Sequence, residues 1–172
     1  MKKIIVLLLL VVLPMSVFAQ SKKNTKKANA NTVAWMYEVE PCGEAKAGGE
    51  MIKVWSYAPD VTSAKAQAAK NAVHAVIFKG IESDGRGHGI VKLDRTNNAK
   101  TEHAEFFKGF FADGGEYMQF VTVVNNGVTG AGDIIKLDKK TFKVGVVVLV
   151  NYKSLRKYLE DQNVIKKLSA GF

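Results

Sequence analysis

The stretch MIKVWSYAPDVTSAKAQAAKNAVHAVIFKG, residues 51–80, decides the fold. Its first eight residues alternate, with Ile52 and Val54 on one side and Met51, Trp55 and Tyr57 on the other, which is the period of a strand. Pro59 and Asp60 break that period, and Asp60 is placed to accept from the first free N–H groups of a helix. From Val61 to Lys79, Ala64, Ala68, Ala72 and Val76 recur at helical spacing, and Ala69 and Val73 widen the stripe. Side chains this small let a helix lie close on a sheet. Ser63, Gln67, Lys70, Asn71 and His74 fall on the other side. They are expected on a solvated surface, and His74 is given no metal.

Upstream, VAWMYEVE, residues 33–40, sets Val33, Trp35, Tyr37 and Val39 on one face and Glu38 and Glu40 on the other. It reads as a strand paired with 51–58 and ended by Pro41 and the loop PCGEAKAGGE. Downstream, a short strand is expected at Ile90–Leu93. Thr101 is expected to cap a helix over TEHAEFFKGFFADGG, stopped by Gly114 and Gly115. YMQFVTVV, residues 117–124, has strand composition, and Asp133–Leu137 gives a further short strand. The run TFKVGVVVLV, residues 141–150, is apolar on both faces from Val144 and predicts a central, covered strand. Asn151 is placed to cap a helix over YKSLRKYLEDQ, and NVIKKLSAGF supplies a short closing helix. The order predicts an α+β domain: one mainly antiparallel sheet of four to six strands with two or three helices packed on it.

The ends of the chain speak to compartment. MKKIIVLLLLVVLPMSVFAQS begins with Lys2 and Lys3, continues with an apolar run, and reaches Ala19 after Val17 and Phe18. That order is that of a secretory leader over residues 1–19, shorter than the roughly 20 apolar residues that span a bilayer. Residues 20–32 form a basic tether carrying Lys22, Lys23, Lys26 and Lys27, with too little apolar surface to offset the entropy of ordering. The expectation is an exported protein, periplasmic or secreted, with one domain over residues 33–172.

Of the formal net charge of +9, two charges belong to the leader and four to the tether, leaving +3 beyond them. A nucleic-acid protein concentrates its cations on a folded face, so that class is set aside. The tether lysines can touch an anionic surface weakly, screened over about a Debye length. Cys42 is the single cysteine, so no internal disulfide forms. Its thiol is inert or joins two copies into a homo-oligomer.

Chemistry is sparse. IESDGRGHG, residues 81–89, gathers Asp84, Arg86 and His88 among glycines. Ile90 stands where a dinucleotide-binding fingerprint needs its third glycine, and the segment follows a helix rather than a strand. The loop reads as a glycine-rich surface connection and a tentative binding element. No motif calls for a metal or a cofactor. Phe106, Phe107, Phe110 and Phe111 form a broad apolar face that is either core or the lining of an apolar pocket or partner surface.

The stretch 51–80, followed later by FKVGVVVLVN and LRKYLE, resembles the small strand-helix-strand-strand domains of outer-membrane-associated bacterial lipoproteins and flagellar-assembly proteins. The present chain differs in having no lipid-attachment cysteine and in carrying the Phe-rich segment. The resemblance implies a binding or assembly module of the cell envelope, contacting a protein or an envelope polymer, with no catalytic residue. Two alternatives stand beside that non-enzymatic reading. One is a secreted hydrolase using Asp84 and His88, with His103 as a further base or ligand. The other is a carrier of an apolar ligand lined by the four phenylalanines.

Overall fold

The computed structural model describes residues 35–45, 49–83, 85 and 89–167. Residues 1–34, which hold the expected leader and tether, and the last five residues lie outside them. Strand β1 (Tyr37–Ala45) pairs antiparallel with β2 (Gly49–Ala58), and β2 pairs antiparallel with β5 (Phe142–Val150). On the far side of β5 lie two short strands, β3 (Val121–Val123) against its end and β4 (Ile134–Lys136) against its start. The helices are α1 (Val61–His74), α2 (Ala99–Glu102), α3 (Ala104–Phe110) and α4 (Tyr152–Asp161). The molecule is therefore the expected α+β fold, with a five-stranded antiparallel sheet. No helix among the described residues is long and apolar enough to cross a membrane.

The valine-rich run is the central strand, as its composition requires. Val144, Val146, Val148 and Val150 face the core and meet Ile52 and Val54 from β2 and the alanine stripe of α1. Strand β1 runs through Pro41 instead of stopping there. It is an edge strand with a bulge between Pro41 and Gly43, the setting in which a proline's missing N–H costs little. Cys42, beside the bulge, is exposed.

The second face of the sheet is covered by side chains from the strands themselves. Trp55 donates from Nε1 to Glu40 at 2.8 Å, and Lys143 bonds Glu38 at 2.7 Å, with the Tyr57 hydroxyl also donating to Glu38. Lys143 and the Tyr57 hydroxyl hold the Glu38 carboxyl below its usual range, and Glu38 in turn raises Lys143. Lys53 pairs with Asp133 at 2.5 Å and lies 4.7 Å from the centre of the Trp55 ring. The ring lies over Gly145: a Cβ there would stand 2.9 Å from Trp55 Cζ3 and from Lys53 Cε. An aromatic side chain thus covers a glycine on the neighbouring strand.

Asp60 caps α1 as expected, accepting from Ser63 N at 2.8 Å, and Asn151 caps α4 by accepting from Ser154 N at 3.1 Å. Elsewhere the sequence expectations need correction. Residues 90–93 form only one bridge, Ile90 to Ile81. Thr101 lies inside α2, and the expected single helix is two, broken at His103; the Asp94 carboxylate accepts from Ala99 N at the start. Residues 117–124 divide: 117–120 belong to a 3-10 helix, Glu116–Phe120, which buries Tyr117 and Phe120 at its three-residue period, and only Val121–Val123 keeps the expected strand. After α4, Asn163 takes φ of 56° and ends the helix, and Val164 and Ile165 tuck into the core; no helix forms over 163–167, and the rest of the expected closing helix, 168–172, lies outside the described residues.

The largest correction concerns α1. Ser63, Gln67, Lys70, Asn71 and His74, expected in water, are all buried. The alanine side packs on the sheet, the His74 end meets Phe78 and Phe111, and a stripe of Thr62, Lys65, Ala66 and Ala69 is left exposed or half-buried. Asn71 donates to Ser56 of β2 at 2.9 Å, both buried, so one polar contact sits inside the sheet–helix interface.

Because Trp55 occupies the space above Gly145, Gly145→Ala is expected to lower stability by about 1–3 kcal/mol. The loss should shrink in a Trp55→Leu background. Denaturant titration of the two single variants, the double variant and the parent checks this through their non-additivity.

Candidate functional site

Helix α1 continues into a π-helical turn, Ala75–Lys79, in which Gly80 N bonds Ala75 O at 2.8 Å. The widened turn releases the Val76 and Ile77 carbonyls from the helix, and they accept from Leu93 N at 3.0 Å and Asp94 N at 2.9 Å. Gly80 ends the turn at φ of 73°, where a Cβ would stand 2.9 Å from Ile90 O. Such single π turns recur at functional sites. Here the turn brings Phe78 and Lys79 round to the side already occupied by His74.

His74 is the centre of an aromatic cluster. The Trp35 ring stacks on it at 3.9 Å between centroids and 14° between planes, and Phe78 and Phe111 tilt against it at 4.9 and 5.9 Å. Trp35 adopts φ of 49°, a left-handed conformation that costs a side-chain-bearing residue roughly 1–2 kcal/mol. The Tyr37 hydroxyl lies 2.7 Å from His74 Nδ1. Burial pushes the phenol well above its ordinary range and keeps it protonated. We assign the phenol O–H as the donor to Nδ1, its one side-chain partner among the described residues, which places the imidazole proton on Nε2. That Nε2 has no hydrogen-bond partner among the described residues. Burial, reinforced by Lys100 and Lys79, lowers the His74 pKa to about 3, so the ring is neutral at ordinary pH.

The four phenylalanines divide. Phe106 and Phe110, one helical turn apart, stack on each other at 5.7 Å and meet Tyr158, with Phe110 also against Phe120; Phe110 and Phe120 are buried in the core, Phe106 and Tyr158 half-buried against it. Phe107 and Phe111, the next pair round the helix, turn the other way. Phe107 meets Phe78 edge-on at 4.8 Å, and Phe111 meets Trp35 at 5.3 Å. Between these rings lies a cavity of about 260 Å³ walled by Trp35, His74, Phe78, Ala104, Phe107 and Phe111. Lys100 and Lys108 complete its wall.

Asp84, Arg86 and His88 lie outside the described residues. The flanking Ile81 and Ile90 exchange two backbone bonds, at 2.9 and 2.8 Å, which close the base of that loop. His103 is half-buried and borders a second hollow of about 470 Å³ with Thr96, Glu102 and residues 163–167. That hollow is lined largely by exposed polar side chains, and none of its residues is a buried polar group without a partner. No group of three or more His, Cys, Asp or Glu among the described residues could hold a metal.

Sequence reasoning missed His74, Phe78 and Lys100. Two signals bear on them: Phe78 follows His74 at i, i+4, and two of four phenylalanines on a short helix need an aromatic or apolar partner outside the main core.

An imidazole buried in its neutral form ties stability to pH. The unfolded chain, with histidine near 6.5, binds a proton that the native state refuses down to about pH 3. Stability is therefore full above about pH 6.5 and falls as pH drops, by at most about 1.4 kcal/mol per pH unit. Denaturant titrations between about pH 6.5 and 5, above the main carboxylate range, should show this slope in the parent and lose it in His74→Phe. Comparison of the chain with protein-family models, with curated proteins and with solved structures finds no match in any of the three.

Proposed function

We propose that this protein is an exported, non-enzymatic binding module of the cell envelope, and that it holds a small apolar ring compound between Trp35, Phe78, Phe107 and Phe111. The observation that carries the reading is the cavity itself: an aromatic space that the core leaves unfilled, bordered by a buried histidine whose Nε2 lacks a partner. Ligand sites combine apolar and aromatic walls with few polar groups, and this one has that composition on a small scale. Trp35, held in a costly backbone conformation over His74, fits a ligand clamp, where such strain concentrates. Export rests on the leader over residues 1–19.

The non-enzymatic part rests on the wall chemistry. A histidine whose pKa is lowered to about 3 is a poor general base near neutrality, since proton transfer works best when the pKa lies near the working pH. The other walls are phenyl rings, the Trp35 indole, Ala104 and two lysines, none of which is a general base or nucleophile at neutral pH. A carrier or sensor of a small molecule needs no more than these.

Indole is the first probe. Titration into the mature chain, followed by ligand-observed NMR, should give saturable binding at micromolar to millimolar concentration. Ala104 lines the cavity from an exposed helical position, so Ala104→Phe fills the space without emptying the core. This variant should keep the parent's stability and lose indole binding at least about tenfold, the equivalent of about 1.4 kcal/mol. Unchanged binding in Ala104→Phe would place the ligand elsewhere and sink the reading.

A further inference from the structure

We infer that the natural ligand of the cavity is an anion, a small aromatic or cyclic carboxylate, with its ring between the phenylalanines and its charged group toward Lys100. The inference rests on the binding role proposed above and adds the chemical class of the ligand.

An aromatic cage by itself suits a cation, because ring faces attract positive charge. Here that capacity is already in use. Lys100 Nζ stands 5.6 Å from the centre of Phe78, Lys70 Nζ 5.9 Å from Trp35 and Lys79 Nζ 4.0 Å from Tyr37. A cationic guest would meet ammonium groups on the faces it needs. The balance of full charges around the cavity is also positive. Lys70, Lys79, Lys100 and Lys108 stand against Glu105, which pairs with Lys108 at 3.4 Å, and Asp113, which lies near Lys70. No carboxylate among the described residues forms an ion pair with Lys79 or Lys100.

The buried histidine points to the same class. With Tyr37 donating to Nδ1, the group left without a partner is the Nε2–H donor, and a donor is completed by an acceptor. Carboxylates accept only, and they take charge-assisted bonds from lysine. Size sets the rest. A cavity of about 260 Å³ is at the small end for ligand sites, which suits a single ring with a short acidic arm rather than a long acyl chain. Lys100 is exposed at the rim, so the anion can keep part of its hydration while the ring is buried.

Phenylacetate and phenylacetamide differ in charge and little in shape, and titration calorimetry of the mature chain with each at pH 7 tests the inference. Phenylacetate should bind about tenfold more tightly, as a charge-assisted bond at a partly exposed site allows. Lys100→Gln, a surface change, should bring the two affinities close together while leaving the amide where it was. Equal affinity in the parent protein would overturn the anion assignment. So would tighter binding of benzyltrimethylammonium than of phenylacetate. If indole binds and the acid shows no preference, only the anion assignment fails; if neither indole nor the acid binds, the cavity reading falls with it.

Discussion

Helix α1 buries most of its surface, leaving a stripe at Thr62, Lys65, Ala66 and Ala69 exposed or half-buried, so its buried polar side chains are pressed to find partners inside the protein. An unpaired buried polar group costs about 1–3 kcal/mol, so the surroundings of this helix are tightly specified. Asn71 finds Ser56 beneath it on β2, and the His74 ring finds Tyr37 on the neighbouring edge strand. Both contacts are polar links in an otherwise hydrocarbon interface, and they fix how far along the sheet the helix can sit. Sliding it would strand both pairs at once. The packing of Phe111 against the His74 end of the helix adds to the same constraint, because the Phe111 ring is costly to leave in water.

The sheet and its main helix were legible because their periods are clean. The alternation of 51–58, the alanine spacing of 64–76 and the valine run at 144–150 each have one reading, and the structure follows them. The burial of Ser63, Gln67, Lys70, Asn71 and His74 was not legible, because a helix with one polar side looks the same in sequence whether that side meets water or a second covering layer. Only tertiary folding decides between them. The same limit applies to residues 117–124, where β-branched and aromatic content argued for a long strand. A three-residue period, Tyr117 to Phe120, served burial better against the helix.

For the candidate site, half was present in the sequence. The four phenylalanines were visible as a group with two uses, and the structure joins those uses: Phe107, Phe110 and Phe111 are buried in the core, Phe106 is half-buried against it, and Phe107 and Phe111 also wall the cavity. Their partners came from 29 to 76 positions away in no readable pattern. Trp35 arrives from the start of the domain and Phe78 from the end of α1. No local rule connects a tryptophan before a strand to a phenylalanine on a helix, since the sheet register between them sets the meeting.

The π turn at Ala75–Lys79 makes chain length itself a determinant of the cavity. An α-helix through the same segment would need one residue fewer to reach Gly80, and would keep the Val76 carbonyl for itself rather than offer it to Leu93. A related chain with every aromatic residue in place but one residue missing here would have its aromatic side chains out of phase and its covering segment unanchored. Among relatives of this protein, an insertion or deletion at this turn would then say more about whether a ligand is held than any substitution among the rings.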